Sequence, residues 1–326
     1  MAVQPLFVFS VTRSGSTLVQ RVLGSYDEIA TVSEPWILFP HLYAQRKRGI
    51  WAEYTHYLMV EAIEDFGRQL PGGRERYREE VRRHILRLYE LAAGNAGVRY
   101  FLDKTPPYFL IVDEVMDLFP EGRFVFLWRS PLSVAASLIE WDGERWDPAR
   151  YAENLFVGPA RLTSAYSRNR ERACAVRYED LVTGGLAPWR RISDYLGLEF
   201  RPETLSRFAS VRLEGRMGDP TGPRRYEALS TEPLTKWRRR LNTPVRKAWF
   251  TRLLRWIGPE SLAVMGYQLD ELLADLRTVP TDWRAAPADA AVLLRSLVEE
   301  VPRAQARRML GVPAPSAFRH VLDLHT

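Results

Sequence analysis

Residues 12–17, Thr12-Arg13-Ser14-Gly15-Ser16-Thr17, gather one arginine, one glycine and four hydroxyl side chains between an apolar run and an apolar helical pattern. A loop of this kind opening a helix aims backbone N–H groups and the positive helix end at an anion. Ser16 and Thr17 add hydroxyl donors there, and Arg13 sits where a guanidinium can cover a charged oxygen. The GxxxxGK[ST] pattern that cradles a magnesium-bound triphosphate is absent from this loop. Alone, it reads more readily as an ordinary turn capping a buried helix. A second group changes the balance: Arg129 ends a strand pattern, Ser130-Pro131 supplies an N-cap and a first-turn proline, and Ser137 follows about two turns into that helix. An arginine at the carboxyl end of a strand and a serine on the next helix can grip a second phosphate in the crevice of an open α/β sheet. Together the two groups imply a ligand with two separated phosphates.

Two further residues suit chemistry on such a ligand. Of 46 basic residues only Lys47, Lys104, Lys236 and Lys247 are lysines, and a lysine presents a compact point charge where arginine presents a planar fork. Lys104, in Asp103-Lys104-Thr105-Pro106-Pro107, follows a strand pattern and is expected at the same sheet edge as the loop, which makes Arg13 and Lys104 the candidate cations there. Glu34, in Val32-Ser33-Glu34-Pro35-Trp36, follows the loop helix after a short connection and lies among apolar residues, which suits a proton acceptor. Singly, each has an ordinary reading: an ion pair for Arg129, a solvated helix position for Ser137, an exposed turn for Lys104, a surface carboxylate for Glu34.

The elements that must position these groups are legible as patterns. Residues 5–11, 98–102, 123–128 and 173–177 read as strands. Residues 108–119 and 131–140 have helical apolar spacing, as expected for crossovers in a parallel sheet. The fold class predicted is α/β, a P-loop-like parallel sheet flanked by helices. Residues 51–95 form a helical insertion, a hairpin or cap broken at 71–73. Beyond residue 177 the pattern is mostly helical, over 189–196, 202–209, 243–256 and 259–265. The Gly/Pro-rich stretch 215–233 is long enough to be a functional loop, a lid over the ligand. Two amphipathic segments, 285–299 and 302–310, end the sequence, which suggests a main domain over 1–280 and an accessory helical segment over 281–326.

The chain has 326 residues, 46% hydrophobic and 26% charged, enough for a sizeable core. Its 46 basic and 40 acidic residues leave a net charge of +6. The arginines of 74–87 alternate with Glu75, Glu79 and Glu80, as on a solvated helix face rather than a basic stripe, so no nucleic-acid partner is expected. The single cysteine, Cys174, forbids an intramolecular disulfide, and the five histidines show no metal-clamping spacing. No run approaches the ~20 apolar residues that span a bilayer, and residues 6–11 lack a basic flank and a cleavage site. A cytoplasmic, metal-free protein without membrane insertion is expected, and a homo-oligomer stays open.

Residues 7–18 resemble the 5′-phosphosulfate loop of sulfotransferases that use 3′-phosphoadenosine 5′-phosphosulfate (PAPS), and residues 124–137 resemble their 3′-phosphate segment. Leu102-Asp103-Lys104-Thr105-Pro106, Leu118-Phe119-Pro120, residues 177–182, Leu196-Gly197-Leu198 and Thr235-Lys236-Trp237 follow in the family's order. The resemblance spans residues 5 to about 250 and is nearer the branch of tyrosylprotein and bacterial polyketide-associated sulfotransferases than the cytosolic branch, whose loop carries lysine. Ser130 stands where Asp, His or Asn is more usual. The resemblance implies PAPS as sulfuryl donor and in-line transfer to a hydroxyl of a small-molecule, lipid, carbohydrate or polyketide acceptor. Glu34 is then the general base, with Arg13 and Lys104 beside the transferred group. Donor binding falls to Arg13, Ser14, Gly15, Ser16, Thr17, Arg129, Ser137, Tyr178 and Lys236. His41 and His56 are alternative bases. Trp36, Phe39, Tyr43, Trp51, Tyr54 and Tyr57 suggest either an apolar acceptor pocket or simple packing. A nucleotide kinase and a non-catalytic nucleotide-binding protein are the competing readings.

Overall fold

The computed structural model describes residues 3–47, 50, 52–94, 97–215, 217 and 229–295. Five strands, β1 (Gln4–Phe9), β2 (Ile29–Thr31), β3 (Tyr100–Asp103), β4 (Arg123–Trp128) and β5 (Ala173–Arg177), form one all-parallel sheet in the order β2-β3-β1-β4-β5. The central strands are near-continuous apolar runs because both faces are covered. Phe7, Phe9, Phe101, Phe124 and Phe126 point into one core, whereas Leu6, Val8, Leu102, Val125 and Leu127 point into the other. On the first face the rings of Phe7 and Phe9 each lie 5.9 Å from that of Phe124.

Helix α1 (Ser16–Leu23) covers the second face with Val19, Val22 and Leu23. The first face receives α2 (Leu38–Tyr43), the hairpin of α3 (His56–Gln69) and α4 (Gly73–Ala93), α5 (Val112–Leu118), α6 (Pro131–Trp141) and α7 (Gly158–Arg168). The hairpin stands where the sequence pattern expects it. Gly72, at φ 94°, makes the turn, and α4 buries Ile85, Tyr89 and Ala93 along one stripe. Its other faces carry paired charges such as Arg76 with Glu80 and Arg83 with Glu79. α8 (Tyr178–Thr183), α9 (Ala187–Leu196) and the single turn α10 (Thr204–Arg207) return to the second face. α11 (Trp237–Arg240), α12 (Pro244–Val264, broken at Gly258) and α13 (Leu269–Thr278) complete the first.

Three differences from the sequence patterns have physical reasons. β2 is a fifth strand that the patterns miss: it has three residues, pairs only with β3 and buries only Ile29. The expected helix 108–119 begins as a 3-10 turn, Pro106–Ile111, the tighter geometry that is frequent at helix N-termini, with its two prolines at the first positions, where no intrahelical donor is needed. The expected helix 202–209 divides into α10 and a 3-10 turn, Phe208–Ser210. Residues 286–295 are helical, and the buried Asp289 accepts from Thr243 Oγ1 (2.5 Å) and Arg246 Nη2 (2.8 Å) on the α12 side. The remainder of the expected 285–299 helix and all of 302–310 lie outside the described residues.

From β1 the chain runs to the β2 edge, returns through β3, then crosses over to β4. The carboxyl ends of β3, β1 and β4 therefore flank the point where successive connections diverge, which is where open sheets hold ligands. Residues 12–17, 103–105 and 129–130 all emerge there.

Candidate active site

The loop after β1 is built from uncommon backbone. Arg13 has φ 69° and Gly15 φ 91°, so left-handed residues on either side of Ser14 turn the chain sharply between β1 and α1. Glycine is required at position 15 for space as well, since an added Cβ would lie 2.3 Å from Cδ2 of Tyr178. No side chain caps α1, so first-turn N–H donors at Ser16 and Thr17 face the cleft. Ser14 is buried, and its hydroxyl has no hydrogen-bond partner among the described residues.

Arg129 is 7% exposed, yet no carboxylate among the described residues pairs with it. Its Nη1 donates to the carbonyl of Arg13 (2.7 Å), its Nη2 to that of Pro233 (3.1 Å), and its Nε has no partner. The guanidinium lies 4.5 Å over the ring of Tyr178. The neighbouring Glu179 is engaged by Ser130 N–H (3.1 Å) and Tyr267 Oη (2.6 Å). Burial pulls the Arg129 pKa down, opposed in part by the Tyr178 and Glu179 charges. Buried arginines ordinarily carry a carboxylate partner; Arg129 has two backbone carbonyls and the Tyr178 ring instead.

Arg13 Nε donates to Ser137 Oγ (3.2 Å). The loop and the Arg129–Ser137 pair, separate in the sequence reading, thus form one continuous surface. Lys236 borders it, 3.1 Å from Glu232 and 3.8 Å from Glu140. The cleft over this surface encloses about 490 Å³, with Arg13, Gly15 to Thr17, Arg129, Ser137, Tyr178 and Lys236 in its wall. The expected lid, 215–233, is described only at 215, 217 and 229–233; Met217, Leu229 and Pro233 line the cleft, and 218–228 lie outside the described residues.

Glu34 enters from the opposite side. The sequence reading brought it back from α1 by a short turn; the chain instead runs through β2, two strands from β1, and places Glu34 at the carboxyl end of the sheet. Gln20 of α1 holds that exit, its amide donating to Thr31 Oγ1 (2.9 Å) and the Val32 carbonyl (2.7 Å). Glu34 Oε1 accepts from Lys104 Nζ (2.8 Å) and Oε2 from Trp36 Nε1 (3.4 Å). Lys104 is 1% exposed and sits behind Glu34 rather than in the cleft wall. Trp36, Pro106 and Pro107 line the cleft beside Glu34.

The alternative bases stand elsewhere. His56 Nε2 contacts the Arg46 carbonyl (2.7 Å), and His41 rests against His84, which with burial lowers its pKa. Neither lines the cleft. Of the aromatic group, Trp36 borders the cleft, Phe39 packs on Tyr43 and Tyr108, Tyr54 and Tyr57 are exposed, and Trp51 lies outside the described residues. Sequence reasoning assigned no role to Gln20, Asp103, Tyr89 or Tyr108; of these only Asp103 lay inside a motif.

The family model described as "Sulfotransferase family" matches residues 5–202, which contain the loop, Glu34, Lys104, Arg129 and Ser137. The chain belongs to the sulfotransferase family. The nodulation protein NoeE of Sinorhizobium fredii (strain NBRC 101917 / NGR234) is 25% identical over 294 residues, 80% of this chain and 65% of that protein, so this sulfotransferase spans just under two thirds of its relative's length. The fold is shared with two solved structures. The sulfotransferase domain from the curacin biosynthetic pathway has a TM-score of 0.51 at 21% identity, over 72% of this chain and 90% of that one. The sulfotransferase domain from the Synechococcus PCC 7002 olefin synthase has a TM-score of 0.50 at 21% identity, over 72% and 88%. Among the described residues, no helix of the sulfotransferase is long and apolar enough to cross a membrane.

Proposed function

We propose that this sulfotransferase uses PAPS as donor and sulfates a hydroxyl of a small-molecule, lipid, carbohydrate or polyketide acceptor by in-line transfer, with Glu34 as general base. The observation that carries the reading is Arg129: a buried guanidinium whose Nε has no partner among the described residues, in the same cleft wall as a left-handed loop rich in N–H and O–H donors. A donor with phosphates on both its 5′ and 3′ positions fits such a paired site. The residues that would hold it are Arg13, Ser14, Gly15, Ser16 and Thr17 on the 5′ side, Arg129 and Ser137 on the 3′ side, and Tyr178 and Lys236 at the nucleotide or its 3′-phosphate. A cytoplasmic setting belongs to the same proposal and is supported by the one buried cysteine, Cys174.

When bound, PAPS supplies an activated sulfuryl group: the acceptor oxygen bonds to sulfur as the sulfur–phosphate oxygen bond breaks, adenosine 3′,5′-bisphosphate leaves, and the acceptor proton goes to Glu34. The chain's task is positioning and electrostatics. Glu34, held by Lys104 and Trp36 Nε1, presents a fixed carboxylate at the cleft edge. Arg13 supplies positive charge at the loop, and its hydrogen bond to Ser137 fixes where that charge lies. Lys104, paired with Glu34, holds that carboxylate in position. Trp36, Pro106 and Pro107 present flat apolar faces that exclude water from the Glu34 side.

The test pairs calorimetric titration of adenosine 3′,5′-bisphosphate with turnover of radiolabelled PAPS over an acceptor panel. Glu34→Gln is expected to keep bisphosphate affinity and lose turnover by on the order of 10²- to 10⁴-fold. Parental turnover in Glu34→Gln removes the base assignment. Preference for magnesium-ATP over the bisphosphate removes the donor assignment and restores the kinase reading.

A further inference from the structure

Asp103, the last residue of β3, is 1% exposed and does not line the cleft, yet three hydroxyls converge on it. Thr105 Oγ1 donates to Oδ1 (2.9 Å), while Tyr89 Oη (2.7 Å) and Tyr108 Oη (3.1 Å) donate to Oδ2. An ionised carboxylate accepts only, so each hydroxyl spends its one hydrogen on Asp103 and has only lone pairs left for other neighbours. Two of them turn those lone pairs to the segment that carries Glu34. Thr105 Oγ1 accepts from Trp36 N–H at 3.5 Å, and Tyr108 Oη accepts from Leu38 N–H at 3.2 Å. Trp36 has φ 58°, a left-handed conformation that costs a non-glycine residue about 1 kcal/mol or more and persists only where the surroundings enforce it.

The third hydroxyl comes from the helical hairpin. Tyr89, on α4, stacks on Phe101 at 4.6 Å and ends on the same carboxylate. Burial and the Asp103 charge hold both tyrosines well above the ordinary phenol pKa, so both keep their protons and the donor directions do not reverse. The other charged groups at the hub are Lys104, adjacent in sequence, and Glu34 beyond it.

We infer that Asp103 is a positioning residue for sulfuryl transfer: by orienting the hydroxyls of Thr105 and Tyr108 it fixes the Trp36–Leu38 backbone and so the Glu34 carboxylate, and through Tyr89 the α3–α4 hairpin becomes part of the catalytic framework. The inference rests on the reading of Glu34 as base. It gives the hairpin a role in aiming the base from behind.

Parent, Tyr89→Phe, Asp103→Asn and Glu34→Gln are compared by turnover of PAPS, calorimetric affinity for adenosine 3′,5′-bisphosphate, and amide hydrogen exchange at Trp36 and Leu38. Asp103→Asn replaces one acceptor by an N–H₂ donor and must turn a hydroxyl around. It is expected to speed exchange at both amides and lower kcat by on the order of 100-fold, the cost of a misplacement of about 1 Å, with bisphosphate affinity unchanged. Tyr89→Phe removes one hydroxyl without altering the core; the expected loss in kcat is about 5-fold. Parental kcat in Asp103→Asn beside an inactive Glu34→Gln overturns the inference alone. Unchanged amide exchange, or bisphosphate affinity lost in parallel with kcat, also overturns it. Parental turnover in Glu34→Gln removes the base reading first, a distinguishable failure.

Discussion

Replacing Arg129 by methionine separates binding from folding more cleanly than any other single change in this protein. Burying the guanidinium without a carboxylate costs several kcal/mol. In the ligand-free chain this is offset by hydrogen bonds to the carbonyls of Arg13 and Pro233, about 2 kcal/mol each for a charged donor, and by up to about 2 kcal/mol from the position over Tyr178. These contributions nearly cancel, so Arg129→Met, which keeps most of the volume, is expected to change unfolding free energy by no more than about 1 kcal/mol. Affinity for adenosine 3′,5′-bisphosphate has no such compensation. Losing a desolvated charge-assisted contact to a phosphate costs about 3 kcal/mol, or about 150-fold in Kd. Calorimetric titration with the bisphosphate, run beside thermal denaturation of the same preparations, reads both quantities. A variant that melts many degrees lower while binding the bisphosphate as the parent does would show Arg129 to be a strut between the loop and Pro233, and would refute the phosphate assignment.

Two further predictions follow from the same geometry. Gly15→Ala places a Cβ at φ 91° and 2.3 Å from Tyr178; it is expected to destabilise the chain by about 2 kcal/mol in urea denaturation and to weaken bisphosphate binding with it, since the loop and Tyr178 must separate. The Asp103 carboxyl is raised from 3.8 to about 6, chiefly by burial, against its hydrogen bonds and Lys104. A raised folded-state pKa gives stability that is complete below the unfolded value and lost as pH climbs through the folded one. Relative to Asp103→Asn, the parent should therefore lose about 3 kcal/mol of unfolding free energy between pH 3.8 and about 6. Equal pH dependence in the two proteins would contradict the buried, ionising hub.

The sequence by itself determined the parallel α/β fold, the helical hairpin and the strand–loop–helix unit at residues 12–17, because each depends on local information. Apolar runs such as 123–128 need both sheet faces covered, Gly72 turns the hairpin, and a Ser/Gly-rich stretch between a strand pattern and a helical pattern marks the loop that joins them. The identity of the candidate groups was legible too: Arg13, Glu34, Lys104, Arg129, Ser137, Tyr178 and Lys236 stand within the motifs that resemble the family's. What the sequence left undetermined is how those groups are paired, since pairing depends on strand order and on register across the sheet. β2 is too short to announce itself, and only its pairing with β3 brings Glu34 to Lys104 at 2.8 Å, 70 residues away in the chain. The same holds for the contact between Arg13 and Ser137. Burial, a property of the whole fold, decided the rest. It left Arg129 without a carboxylate partner among the described residues and made Asp103, an ordinary acid in the sequence, the hub on which three hydroxyls converge.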